Sequence, residues 1–166
     1  MKLVPAANGW YCPDDPGEPG LGKQRWSVSL GEARIVSELC RGLDVLEIGT
    51  GLGVSTREIA RLANVVHTVD VDPWVAENVL LPDNAVFYTD INEVPEGLGA
   101  AFIDGLHSYT QCKKDIVDAR RIVRPGGLLI FHDAMMKWVR KAVIDSNMTE
   151  FYLIQTPCGI AMGWND

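Results

Sequence analysis

The stretch from Val45 to Thr56 constrains this chain more than any other. An apolar run carrying one acid, Glu47, stops at three glycines, Gly49, Gly51 and Gly53, and a helix-compatible segment follows. That order reads as strand, tight loop, helix. Glycines at such a loop let a ligand approach main-chain N–H groups with no Cβ in the way. A dinucleotide fingerprint, G-x-G-x-x-G, would need its third glycine at position 54, which is Val54. The spacing here is E-x-G-x-G-x-G, which disfavours a nicotinamide-dinucleotide module.

Around this stretch, short apolar runs alternate with helical patterns. Residues 31–42 place Ala33, Ile35, Val36, Leu39 and Cys40 on one helical face, closed by Gly42. Strands are expected at 45–48, 65–70, 85–88, 100–104 and 128–131, separated by helices near 55–63, after Asp72-Pro73, and at 109–123. Asp72 suits an N-cap with Pro73 in the first turn. Arg124 to Gly127 reads as a turn, and a helix near 135–145 precedes two last strands, 150–155 and 159–164, joined through Pro157, Cys158 and Gly159. The alternation predicts an α/β fold: a doubly wound, Rossmann-like sheet, mostly parallel, with an antiparallel C-terminal hairpin strand. Ligands of such sheets bind beyond the carboxyl ends of the strands. Glu47, Asp70, Asp90, Asp104 and Asp133 all fall at or near those ends.

Residues 1–30 contain Pro5, Pro13, Pro16 and Pro19, which exclude a long helix and give an irregular arm. Trp10, Tyr11 and Trp26 either pack this arm on the domain formed by residues 31–166 or make it a lid over a pocket. With 166 residues the chain makes one domain able to bury a core. Its net charge of −7 leaves no basic face of the kind nucleic-acid binders carry, so no nucleic-acid partner is expected. No apolar run approaches the ~20 residues of a membrane span, and the first residues lack a signal-peptide core. A cytoplasmic protein without membrane association is the expectation. Cys12, Cys40, Cys112 and Cys158 are far apart and have no C-x-x-C spacing, so they indicate neither a zinc site nor a disulfide framework.

Two further stretches carry a resemblance: Phe102-Ile103-Asp104-Gly105-Leu106-His107-Ser108-Tyr109, and Pro125-Gly126-Gly127 running through Phe131 to His132-Asp133. With the glycine stretch, they resemble class I S-adenosylmethionine (SAM) methyltransferases, in particular small-molecule O-methyltransferases of the catechol and sugar type. The resemblance spans residues 31–164 and implies SAM as cofactor and a small hydroxylated acceptor. It implies that Gly49, Thr50, Gly51 and Gly53 line the methionine end, with Glu47 near its ammonium group. Asp70 would take the ribose hydroxyls, Val71 and Asp72 would flank the adenine, and Asp90 would meet its amino group. Asp104 and Asp133 stand where metal-dependent members hold a divalent ion, Mg²⁺ or Mn²⁺. Catechol-type members carry an amide after the second metal-binding acid, and Ala134 occupies that position here.

Methyl transfer to oxygen needs a collinear approach and removal of the acceptor proton. Positioning supplies the first. A metal that lowers the hydroxyl pKa, or a histidine acting as base, supplies the second. His107, three residues past Asp104, is a candidate base or third metal ligand; with Asp104 and Asp133 it forms the expected catalytic set. His132 would point to the opposite face from Asp133 and play a structural role. N-methylation and non-catalytic SAM binding remain alternatives. The chain leaves few residues for a substrate cap, which the 1–30 arm or a second copy in a homodimer would supply.

Overall fold

The computed structural model describes the backbone of residues 4–6, 9–12 and 25–166, with side chains from Ser27 onward. The N-terminal region is not wholly irregular. Short strands β1 (Val4–Ala6), β2 (Gly9–Cys12) and β3 (Arg25–Ser27) pair as an antiparallel sheet. The packing of Trp10, Tyr11 and Trp26 lies outside the described side chains.

The main sheet has seven strands in the order β6-β5-β4-β7-β8-β10-β9. These are β4 (Asp44–Ile48), β5 (Val65–Val69), β6 (Ala85–Tyr88), β7 (Leu98–Ile103), β8 (Val123–Phe131), β9 (Phe151–Ile154) and β10 (Ile160–Trp164). Strands β4 to β8 are parallel, and β10 runs antiparallel to both β8 and β9. The helices are α1 (Leu30–Leu39), α2 (Val54–Ala60), α3 (Pro73–Asn78), α4 (Tyr109–Ile122) and α5 (Lys137–Ile144). The expected fold class is therefore the observed one.

Alternation along the central strands sorts side chains into two cores. Leu46, Ile103, Leu129 and Phe131 join Ile116, Ala119 and Ile122 of α4 and Val139 and Val143 of α5. Val45, Phe102 and Ile130 join Val36 and Cys40 of α1 and Ile59 of α2 on the other face. Truncating a side chain as buried as Phe102 to alanine costs about 3–5 kcal/mol.

The expected turn at Arg124–Gly127 is instead a bulge inside β8. The register with β7 jumps from Leu98↔Val123 to Ala100↔Leu128, so four residues of β8 lie opposite Gly99 alone. A bulge is where proline survives in a sheet interior, because its missing N–H need not join the ladder. Gly126 N–H and Gly127 C=O find partners instead in Asn165, at 2.7 and 2.8 Å. Below this bulge the two strands resume register and carry their C-terminal ends to the same level.

Candidate active site

The sheet order reverses between β4 and β7, so the crevice expected of this topology opens beyond Ile48 and Ile103. The loop after β4 lies against the loop after β7. Gly49 has φ +97°, and a Cβ there would stand 2.3 Å from the carbonyl oxygen of Asp104. Only glycine permits that approach. Asp70, at the end of β5, holds the same loop from the other side: its Oδ2 accepts from Gly51 N–H at 2.9 Å and its Oδ1 from Asp72 N–H at 3.0 Å.

Glu47 is fully buried behind this loop. Its Oε2 accepts from the hydroxyls of Thr56 and Thr68 at 2.5 and 2.6 Å, whereas Oε1 has no partner among the described residues. Burial pushes its pKa up to about 7, against the opposing pull of the Ser55, Thr56 and Thr68 hydroxyls. Thr50 is turned inward, with its Oγ1 2.6 Å from that of Thr68, so only its backbone faces the loop surface. Farther along, Asp72 caps α3 by accepting from Trp74 N–H at 2.9 Å. Val71, beside it, is 84% exposed, an unusual fate for a large apolar residue next to a strand end. Asp90 is exposed and its Oδ1 accepts from the main chain and side chain of Asn92.

Asp104, His107 and Asp133 come together beside this loop. His107 Nε2 lies 3.1 Å from Asp133 Oδ2 and 3.6 Å from Asp104 Oδ1. That nitrogen is buried, while the side chain as a whole is 37% exposed. The two acids thus hold the Nε2 edge of the ring, and part of the side chain stays exposed. The Asp104 carboxylate beside the ring raises the His107 pKa above its ordinary value despite burial.

His132 departs from the expected position. It does not turn to the opposite face: its Nδ1 is 3.2 Å from both Asp104 Oδ1 and Asp133 Oδ2. The register explains this. Ile103 pairs with Phe131 and His132 N–H bonds Ile103 C=O, so His132 is the strand-to-strand counterpart of Asp104 and shares its face. Asp133 is the residue that breaks alternation, with φ +52°, and its left-handed backbone turns the carboxylate back toward its neighbour. Burial alone would depress the His132 pKa, but Asp104 and Asp133 outweigh it and push it up to about 11. In return His132 and His107 hold the Asp104 carboxyl below the usual range against burial.

Glu32, from α1, completes the surroundings of His132 at 3.4 Å from Nε2 and was not foreseen from the sequence. Its only sequence signal is the Ser29-x-x-Glu32 capping pattern: Ser29 Oγ accepts from Glu32 N–H and donates to Glu32 Oε2. The other signal missed is the adjacency of His132 to Asp133, read as alternation when the backbone reverses.

Three comparisons bear on this arrangement. Residues 46–134, just over half the chain, match the family described as "Methyltransferase domain". A curated relative, the probable ribosomal RNA small subunit methyltransferase A of Pyrobaculum islandicum, is 34% identical over 62 residues; the match covers 34% of this chain and 26% of that protein. Among solved structures, the tRNA (m1A58) methyltransferase TrmI of Aquifex aeolicus aligns with a TM-score of 0.68 at 18% identity, over 83% of this chain and 69% of its own. An O-methyltransferase from Bacillus cereus, solved with S-adenosylhomocysteine (SAH), aligns at 0.64 and 21% identity, over 83% and 82%. At those identities the structural likeness speaks for the fold. The family match covers β4 through the acid–imidazole cluster, the part of the sheet just described, and this chain belongs to the methyltransferase domain family.

Proposed function

We propose that the chain is a SAM-dependent O-methyltransferase acting on a small hydroxylated molecule, with His107 as the base. The observation that carries this is the position of the Asp104–His107–Asp133 cluster directly against the glycine loop, through the Gly49–Asp104 contact. The residues fit SAM: the orphaned, buried Glu47 Oε1 is a ready acceptor for an ammonium group, and Asp70 lies at the strand end where ribose hydroxyls are taken. Exposed Val71 offers an apolar surface for the adenine, with Asp72 beside it. Asp90 Oδ1 is already occupied by Asn92, leaving Oδ2 for the adenine amino group.

SAM supplies an electrophilic methyl carbon with a neutral thioether as leaving group. The chain's own residues do the rest. Asp133 and Asp104 take the Nε2 side of His107, so Nδ1 is the nitrogen left to accept the acceptor's hydroxyl proton. With SAM bound, the acceptor oxygen would take the methyl group as the C–S bond breaks, and His107 would hold the proton until its release to solvent. His132, wedged between Asp104 and Asp133, favours the ionised form of Asp104 and holds both acids in place.

A second reading has a divalent cation in this cluster. The ligand atoms of Asp104, His107 and Asp133 lie within 4.8 Å of one another. That mixed carboxylate–imidazole set suits Mn²⁺ better than Mg²⁺, which prefers oxygen and retains water. Full activity in chelator supports the base reading; loss in chelator restored by Mn²⁺ supports the metal.

The test of the primary reading is calorimetry with SAM, SAH and NAD, followed by methyl transfer to phenol, sugar, amine and RNA acceptors. Binding of SAM and SAH with transfer to hydroxyls is expected. Transfer to RNA or amines alone would sink the small-molecule O-methylation reading, and binding without any transfer would favour a non-catalytic SAM protein. The net charge of −7 favours a small acceptor over RNA. The 1–30 arm as a lid, or a second copy in a homodimer, would complete the substrate cap. No helix among the described residues is long and apolar enough to cross a membrane, and a cytoplasmic setting accords with our reading.

A further inference from the structure

Behind the proposed methyl-transfer face lies a second donor cluster, in which the reaction above uses neither Glu32 nor Cys158 nor the Nε2 side of His132. We propose that Glu32, His132 and Cys158 form a site for one zinc-type divalent cation, which clamps α1 and the β9–β10 turn onto the end of β8. The inference does not depend on the methyltransferase reading.

Three observations converge. A carboxylate oxygen, an imidazole nitrogen and a thiol sulfur from three separate elements lie within 4.8 Å of one another. His132 is 3% exposed, and its Nε2 has no hydrogen-bond partner among the described residues although it faces Glu32 Oε2 at 3.4 Å. A buried ring nitrogen left without a proper partner asks for an explanation. Finally, charge is unbalanced here. Glu32, Asp104 and Asp133 share two imidazoles, His132 and His107, so the carboxylates still outnumber the groups that can balance them, and carboxylates screened from water in excess of cations are costly.

The donor set selects the ion. Sulfur, nitrogen and oxygen together match zinc, for which bonds of about 2.0–2.3 Å put tetrahedral ligand atoms about 3.3–3.8 Å apart. The Glu32–His132 separation already has that value, and Cys158, in the turn before Gly159, has its sulfur within 4.8 Å of both ligand atoms. The turn is tied to the same carboxylate, since Cys158 N–H donates to Glu32 Oε1 at 3.0 Å. A cation on Nε2 would leave Nδ1–H of His132 donating to Asp104 and Asp133, so the clamp would also orient the acids of the neighbouring face.

The experiment uses the whole chain, stripped with chelator and titrated with Zn²⁺ by calorimetry and with Co²⁺ by absorption. One ion per chain with a near-ultraviolet thiolate-to-cobalt band is expected. Cys158→Ser should abolish the band and weaken Zn²⁺ binding by more than about 100-fold, beyond what loss of an outer partner costs. Asp104→Asn, which removes a ligand of the other cluster and touches this site only through the outer hydrogen bond to His132 Nδ1, should keep the band. Should Cys158→Ser not fold, alkylation of the wild type mapped by mass spectrometry replaces it: Zn²⁺ should protect Cys158. Absence of a thiolate band, absence of protection, or binding lost in Asp104→Asn but kept in Cys158→Ser would overturn the proposal.

Discussion

Replacing Gly49 by alanine tests the contact on which the site's geometry rests. The added Cβ would lie 2.3 Å from Asp104 O, 2.8 Å from Asp104 C and 3.2 Å from Gly105 Cα. All three are backbone atoms at the end of a central strand, so no side chain can swing away. Relief requires moving the loop after β4 or the end of β7 by about 1 Å. Overpacking of this kind costs about 1–3 kcal/mol, and a non-glycine residue at φ +97° adds about 1–3 kcal/mol. A total of about 2–6 kcal/mol is a large share of the ~5–15 kcal/mol that holds a domain together. With a urea slope of about 2 kcal/mol/M, the unfolding midpoint should fall by about 1–3 M. Gly42→Ala is the control: it shares a positive φ of +69°, but its added Cβ would meet nothing within 4 Å, so only the strain of about 1 kcal/mol remains. In both variants m should be unchanged, and calorimetry below the transition should show SAM affinity reduced in Gly49→Ala alone. Equal midpoint shifts for the two variants would refute the claim that strand-end contact, and not backbone strain, demands this glycine.

Glu47→Gln should stabilise the ligand-free protein above neutral pH while weakening SAM binding. The folded Glu47 pKa of about 7 exceeds its ordinary value of 4.5, so its contribution to stability is complete below pH 4.5 and is lost as pH rises to about 7; unfolding at pH 5 and pH 8 reads the difference, about 1–3 kcal/mol, and no pH dependence of the variant's advantage would count against a buried carboxyl here. Asp70→Ala should weaken SAM by about 1–3 kcal/mol, and because Gly51 N–H loses its acceptor, hydrogen exchange at Gly51 should quicken; unchanged affinity would hand the ribose to Asp72 or the backbone. His107→Ala should slow transfer by about 10²–10⁴-fold. In chelator the wild-type rate should rise with pH through a pKa above 6.5, because a base must be neutral and Asp104 raises that value; Asp104→Asn should move the limb to lower pH, and an unmoved limb would mean that another group titrates.

The seven-strand sheet, its parallel centre and its terminal hairpin were all legible in the order of apolar runs and glycines, because period and chain punctuation are local properties. So were the Asp72 cap and the convergence of Asp104, His107 and Asp133, since residues at the ends of adjacent parallel strands must meet. The tertiary structure decided three things that no local pattern holds. Register placed His132 beside Asp104: which residue of one strand lies against which of the next depends on the β8 bulge, and a one-residue shift changes the face of every side chain. The left-handed backbone at Asp133 then brought two consecutive residues to one point, where simple alternation separates them. And Glu32 reached the same imidazole from α1 across a sequence separation of one hundred residues, its carboxylate disguised in the chain as half of an ordinary helix cap. Periodicity settles which elements form and which face is apolar; the meeting of polar groups buried at the strand ends is set by register, backbone handedness and helix docking, and these exist only once the sheet has closed around its two cores.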